Sequence, residues 1–299
     1  MPRRCLPVLL AAVLALPACN SGPVSAPEPR TKAATAAAEP RTEAATPAGA
    51  KCPDTGFDCD FQNRFTRVED YLKTRPGTVG IVVRDRQSGA VWHNGHSADL
   101  VWTASTIKLA MVVDLLRRDH EGTISLTTED RDLVHAMLHS SDDDAADTLW
   151  KRYSGEDHRA FNESFASYGL TSLAPQEGYS STFPYWGFQK CTAEDLDRLM
   201  SHVLTELPDA DRDLLVREMR SVGPEQQWGV WGAGPDAQPG NKDGWSEEDT
   251  GWVMNTVGFV GPDERYTLAV MNDLHRQGGY QEGRDTDSEI ADLLFDGRF

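Results

Sequence analysis

The stretch Trp102-Thr-Ala-Ser105-Thr-Ile-Lys108-Leu-Ala-Met-Val-Val-Asp-Leu-Leu116 decides how the rest of the chain is read. From Ile107 onward, the residues Ile107, Leu109, Ala110, Met111, Val112, Val113, Leu115 and Leu116 cover almost every face, the pattern of a helix buried on all sides. Its first turn nevertheless carries a hydroxyl and an amine, Ser105 and Lys108, three residues apart and so on one helical face. A buried ammonium without partners is costly, which leaves two readings. Either Ser105 caps the helix and Lys108 reaches out to solvent, or Lys108 activates Ser105 as a nucleophile at a helix N-terminus, where free N–H groups hold developing negative charge.

The chain around this helix has 299 residues, 39% of them hydrophobic, with eight tryptophans, enough for one large domain or two small ones. Lys and Arg number 29 against 47 Asp and Glu, and the net charge of -18 argues against nucleic acid as a partner, since it repels phosphate backbones. Arg3 and Arg4 precede the apolar run Leu6 to Leu16, too short to span a bilayer and laid out like a secretory signal. It ends in Leu16-Pro-Ala-Cys19, similar to the lipobox of bacterial lipoproteins. Residues 1–18 are therefore expected to be a lipoprotein signal peptide, with Cys19 lipidated; the alternative is an ordinary signal peptide with a chance Cys. Residues 19–55, rich in Ala, Pro, Thr, Ser and Glu at the start, cannot bury a core and read as a disordered tether. The expectation is an exported domain, 56–299, anchored to the outer face of the cell membrane. Export permits disulfides, so Cys52 and Cys59 are candidates for a local bridge or else two free thiols, and Cys191 for a buried thiol.

Past the tether, Phe61 to Thr74 has helical spacing, and Thr78 to Arg84 with Ala90 to Asn94 reads as a hairpin. After the central helix, helical patterns cover Glu129 to Leu138, Asp157 to Tyr168, Ala193 to Leu207 and Asp209 to Arg220. Gly169 to Lys190 is a long aromatic-rich loop, and a loop of that length inside a domain is usually either functional or an element wrongly assigned as loop. Strands are predicted at Asn241 to Trp245, Trp252 to Val260 and Tyr266 to Met271, then a helix at Ser288 to Phe295. A sheet assembled from both ends of the chain, with a helical block between, predicts a two-lobed α+β fold: an antiparallel sheet with flanking helices plus an all-helical subdomain.

Three features fall in order: Ser105-Thr-Ile-Lys108 opening a helix, Ser141-Asp142-Asp143 on a loop, and Lys242-Asp243-Gly244 on a strand. The ordered set resembles the penicillin-recognising serine enzymes, most closely the class A serine β-lactamases with their Ser-x-x-Lys, Ser-Asp-Asn and Lys-Thr-Gly motifs, over about residues 60 to 299. The resemblance implies Ser105 as nucleophile, Lys108 as its base, Ser141 as proton relay to the leaving nitrogen and Lys242 as the cation that holds Ser141. It implies an oxyanion hole from the N–H groups of Ser105 and Trp245, with Asp143, Asp243 and Gly244 lining the substrate site. The bland alternatives are a helix cap at Ser140 or Ser141, a cation held by Asp142 to Asp144, and an edge-strand charge at Lys242.

Two positions depart from the family pattern. Asp143 stands where the family has an amide donor, and Asp243 where it has a hydroxyl. Two acids facing an acidic ligand would repel it unless a proton or an arginine such as Arg220 or Arg265 intervenes, which argues against ordinary penicillins. The loop glutamate that the family uses for deacylation has one counterpart by position, Glu177, otherwise a solvated surface residue. Tyr179, Phe183, Tyr185, Trp186 and Phe188 either pack this loop down or line the cleft. The resemblance thus implies a serine acyl-enzyme hydrolase of β-lactam or related amides, or else a D,D-peptidase or non-hydrolytic penicillin-binding lipoprotein acting on cell-wall peptide. It implies no metal or organic cofactor, and a monomer.

Overall fold

The computed structural model describes residues 52 and 54–299; the expected signal peptide, Cys19 and most of the tether lie outside the described residues. Cys52 and Cys59 are joined by a disulfide, with Cα atoms 5.5 Å apart, and Cys191 is a buried free thiol.

The first strands and the last share one sheet. β1 (Thr78–Asp85), β2 (Val91–His93), β6 (Gly240–Glu248), β7 (Gly251–Val260) and β8 (Tyr266–Asp273) pair antiparallel in the order β2-β1-β8-β7-β6. Alternation along the strands sends side chains to two cores. Ile81, Leu268 and Val270 pack with Ile290, Leu294 and Phe295 of α8 (Tyr280–Phe295) and with Phe61 and Phe65 of α1 (Cys59–Leu72). Val82, Val257, Ala269 and Met271 instead join the core around α2 (Ile107–His120). Because both faces are covered, β7 and β8 are buried almost end to end rather than alternately.

Every residue of α2 from Ile107 to Leu116 is buried. Even Asp114 is inside, its carboxylate taken up by Arg117, Arg118 and the Tyr168 hydroxyl. Around α2 stand α3 (Thr128–His139), α4 (Asp143–Tyr153), α5 (Ala160–Phe165), α6 (Ala193–Thr205) and α7 (Asp209–Arg220). Capping boxes at Thr127 with Asp130 and at Thr192 with Asp195 set the starts of α3 and α6. The α+β class, an antiparallel sheet with helices packed on it, stands as read.

Three segments differ from expectation. The pattern over Asp157 to Tyr168 is helical only from Ala160, since Gly155 and His158 have positive φ and form a turn. The last helix begins at Tyr280, not Ser288. Its first turns hide their inward face because that face is small or polar: Gly283, Thr286 and Asp287 are buried, and a Cβ at Gly283 would come within 2.3 Å of Met254 Cγ. The long loop also contains β4 (Ala174–Pro175) and reaches β5 (Gln189–Cys191), which pairs with β4 on one side and with β3 (Val101–Trp102) on the other, a small second sheet just ahead of Ser105.

Candidate active site

Ser105 sits in a 3-10 turn, Ala104–Thr106, that runs into α2. Its carbonyl neighbours are fixed from the sheet: Asn255 Nδ2, wholly buried on β7, donates to Trp102 O at 2.8 Å and to Thr103 O at 3.2 Å. Ala104 has φ +44°, a left-handed conformation that costs a non-glycine residue about 1–3 kcal/mol and is held here by its surroundings. Neither Ser105 nor Thr106 caps α2 through its side chain. The Ser105 hydroxyl is half-buried and, among the described residues, accepts and donates no hydrogen bond.

Lys108 does not reach out to solvent; it is 0% exposed. Its Nζ donates to the Ser141 carbonyl at 2.7 Å and to Asp143 Oδ1 at 2.5 Å, and lies 3.5 Å from Ser141 Oγ. Lys242, also 0% exposed, donates to Ser141 Oγ at 2.9 Å, to the Asp243 carbonyl at 2.7 Å and to Gln226 Oε1. Ser141 thus links two ammonium groups, one through its carbonyl and one through its hydroxyl. Its φ of +59° gives it that orientation. Burial is the main cause that pushes both amines below the usual lysine range, Lys242 far below because Lys108 is also near; Asp143 works against this at Lys108. Each amine therefore gives up its proton more readily than an exposed lysine does.

The bland alternatives for the second and third motifs are not what the structure contains. Asp142 is the N-cap of α4, accepting from Ala145 N at 2.7 Å, and Ser140 bonds back to Ala136 O. Asp143 goes to Lys108, so the three aspartates diverge, and among the described residues no cluster of His, Cys, Asp or Glu could hold a metal ion. Lys242 stands on an edge strand yet is buried.

Gly244 has a steric reason to be glycine. A Cβ there would lie 2.7 Å from Thr106 N and 2.8 Å from Ser105 N, so only a bare backbone lets β6 approach the start of α2. The Asp243 N–H is directed to Gln226 Oε1 at 3.4 Å and its carbonyl to Lys242, both away from β7. Direction repeats every second residue along a strand, which puts the Trp245 N–H on the open edge of β6 too.

Two of the expected site residues fall elsewhere. Asp243 does not face the cleft: its carboxyl is 0% exposed and bonded to Asn241 Nδ2 at 2.6 Å on the sheet face that meets α8. Glu177 lies on an exposed turn beyond β4 and, among the described residues, makes no side-chain hydrogen bond or ion pair. Arg220 and Arg265 are committed to Glu264 at 2.7 Å and Asp85 at 2.9 Å, so neither serves as a substrate clamp. From the long loop it is Trp186 that reaches the site, its ring centroid 4.7 Å from Lys108 Nζ.

Sequence reading missed Gln226 and Asn255. Gln226 is wholly buried; its amide donates to Leu138 O at 2.7 Å and His139 O at 2.8 Å while its oxygen holds Lys242, tying the end of α3 to β6. Nothing in its local sequence marks it, because its partners lie far along the chain.

A family model described as "Beta-lactamase enzyme family" matches residues 62–130, the part that holds Ser105 and Lys108. A β-lactamase from Xanthomonas campestris pv. campestris superposes with a TM-score of 0.65 at 17% identity, over 79% of this chain and 98% of that one. The chain has the fold of the class A serine β-lactamases. PBP-A superposes on the β-lactamase-like domain equally well, with a TM-score of 0.64 at 20% identity over 78% of this chain and 94% of that one. A curated relative in Mycobacterium tuberculosis and Mycobacterium bovis, named "Putative lipoprotein LppW", is 28% identical over 237 residues, 75% of this chain and 71% of its own length.

Proposed function

We propose that this protein is a serine acyl-enzyme former of the β-lactamase-like class, acting on a β-lactam or a related cell-wall amide. The observation that carries the reading is the chain of buried polar groups Lys108, Ser141 and Lys242 at the start of the helix that presents Ser105. In acylation, Ser105 Oγ bonds to the carbonyl carbon and gives its proton to the neutral Lys108 amine. The carbonyl oxygen gathers charge between the N–H groups of Ser105 and Trp245, each donor contributing about 3 kcal/mol in the transition state. The C–N bond then breaks as Ser141, held by Lys242, passes its proton to the leaving nitrogen and takes the one that Lys108 received, Lys108 Nζ lying 3.5 Å from Ser141 Oγ. Asp143 keeps Lys108 in place through its contact with Nζ.

A second reading, a penicillin-binding lipoprotein that acylates without turnover, is favoured by the exposed position of Glu177. Incubation with a fluorescent penicillin and with a peptide thioester ending in D-alanine, followed by intact mass, tests the proposal. An adduct on Ser105 supports it; no adduct with either probe overturns it.

The name of the mycobacterial relative and the Leu16-Pro-Ala-Cys19 sequence support a lipid anchor on Cys19, export, and a tether over 19–55 that holds the domain at the outer face of the membrane. Cys19→Ala is expected to abolish incorporation of labelled palmitate; equal incorporation would sink the anchor.

A further inference from the structure

We propose that Trp186 sets the lifetime of the acyl-enzyme by closing the loop side of Lys108 with an apolar ring, where turnover would need a water and a carboxylate. The proposal rests on the acylation reading above. Release of an acyl group requires a water oxygen to add to the ester carbonyl carbon, a base to take that water's proton, and Ser105 Oγ to leave with a proton. The base has to stand beside the ester, on the side not occupied by the departed amine.

Lys108 offers no room for one. Its Nζ is surrounded by the Ser141 carbonyl and hydroxyl, by Asp143 and by the face of Trp186, and it is 0% exposed. Trp186 is itself only 6% exposed. Its Nε1 donates to Asp147 Oδ1 at 2.8 Å, and the Tyr185 hydroxyl donates to the same oxygen. Asp143 and Asp147 stand four residues apart on α4, hence on one face of that helix. A single stripe of α4 therefore both holds Lys108 and pins the loop over it. Glu177, the acid within the long loop, points to solvent nine residues before Trp186. The arrangement suits a protein that captures its ligand and keeps it, rather than one that clears it.

The experiment follows a fluorescent penicillin, or the D-alanyl thioester where the penicillin does not label, by intact mass after a chase. The wild type is expected to hold its adduct, and Glu177→Gln to hold it equally long. Trp186→Glu, which brings a carboxylate to Lys108 from the loop side, is expected to shorten the lifetime of the adduct once formed by about 100-fold or more, the scale of a general base. Trp186→Phe, which keeps an apolar ring, is expected to leave the lifetime long. Should Trp186→Glu fail to fold by its thermal melt, Asp147→Ala unpins the ring without touching Ser105 or Lys108 and is expected to shorten the lifetime several-fold. A wild-type adduct that clears rapidly, one that Glu177→Gln prolongs, or a folded Trp186→Glu or Asp147→Ala with the wild-type lifetime would overturn the role of Trp186 and leave acylation standing. Absence of any Ser105 adduct would overturn both.

Discussion

The two faces of β6 bury opposite charges one residue apart and treat them differently. On the cleft side Lys242 has three acceptors, Ser141 Oγ, Gln226 Oε1 and the Asp243 carbonyl. On the α8 side Asp243 has one donor, Asn241 Nδ2, and its second carboxyl oxygen has no partner among the described residues. Burial pushes the lysine down and the aspartic acid up, so each is driven toward its neutral form. A neutral amine in a cleft can do proton chemistry, whereas a neutral acid sealed between sheet and helix can only hold structure. The departure from the family's third motif therefore belongs to the framework, and the repulsion of an acidic ligand that two aspartates seemed to threaten comes down to Asp143 alone.

This contrast is open to direct attack on the cleft side, where the effects are largest. Ser105→Ala is expected to fold with an unchanged thermal melt and to lose all labelling by acylating probes; labelling that survives on any residue would remove Ser105 from the reaction. Lys242→Met leaves Ser141 without the amine that donates to its hydroxyl, and acylation is expected to fall by about 100-fold to 10,000-fold, the range for losing a positioned proton-transfer partner. The wild-type acylation rate is expected to rise with pH through a lysine value below 10.5, because the amine must be neutral to accept the Ser105 proton. A rate that is flat with pH would show that Lys108 is not the base. Gly244→Ala puts a methyl 2.7 Å from Thr106 N, pushes β6 off the start of α2 and separates the two oxyanion donors. A misplacement of about 1 Å costs on the order of 100-fold, and acylation in this variant is expected to drop by that scale. Wild-type kinetics there would mean that the Trp245 N–H takes no part.

Why some of this was legible in the sequence and some was not follows from the range of the interactions. Ser105 and Lys108 are one helical turn apart, so their partnership in space is set by chain geometry alone. α2 announced itself by apolar residues on every face, and β7 and β8 by continuous burial. Gln226 and Asn255 act across 88 and 153 residues of separation, and no local pattern encodes such a reach. Position along the loop pointed to Glu177, but the loop is fixed by Asp147 on another helix, and that anchor delivers Trp186 to the site instead. The facing of Asp243 was readable in principle. Strand alternation puts residues 242 and 243 on opposite faces, so once Lys242 is assigned to the cleft its neighbour has to point away.

The smallest expected effect on acylation is the one that separates the two faces most cleanly. Asp243→Asn keeps the shape and the bond from Asn241 but cannot ionise, and acylation is expected to match the wild type. Its signature is in stability. The folded protein holds the Asp243 proton more tightly than the unfolded chain does, so the stabilisation is fully present below the unfolded value of 3.8 and is lost as pH rises toward the elevated folded value. Over that interval the wild type loses up to about 1.4 kcal/mol per pH unit from this group, and the asparagine variant does not. Asp287, whose carboxyl is raised by burial and by Asp243 itself, titrates more easily once its neighbour is neutral, which flattens the profile further. Denaturant melts from pH 4 upward are therefore expected to show Asp243→Asn gaining on the wild type as pH increases. Parallel curves for the two proteins would mean that Asp243 stays ionised inside the fold, and a loss of acylation in the variant would return its carboxyl to the cleft.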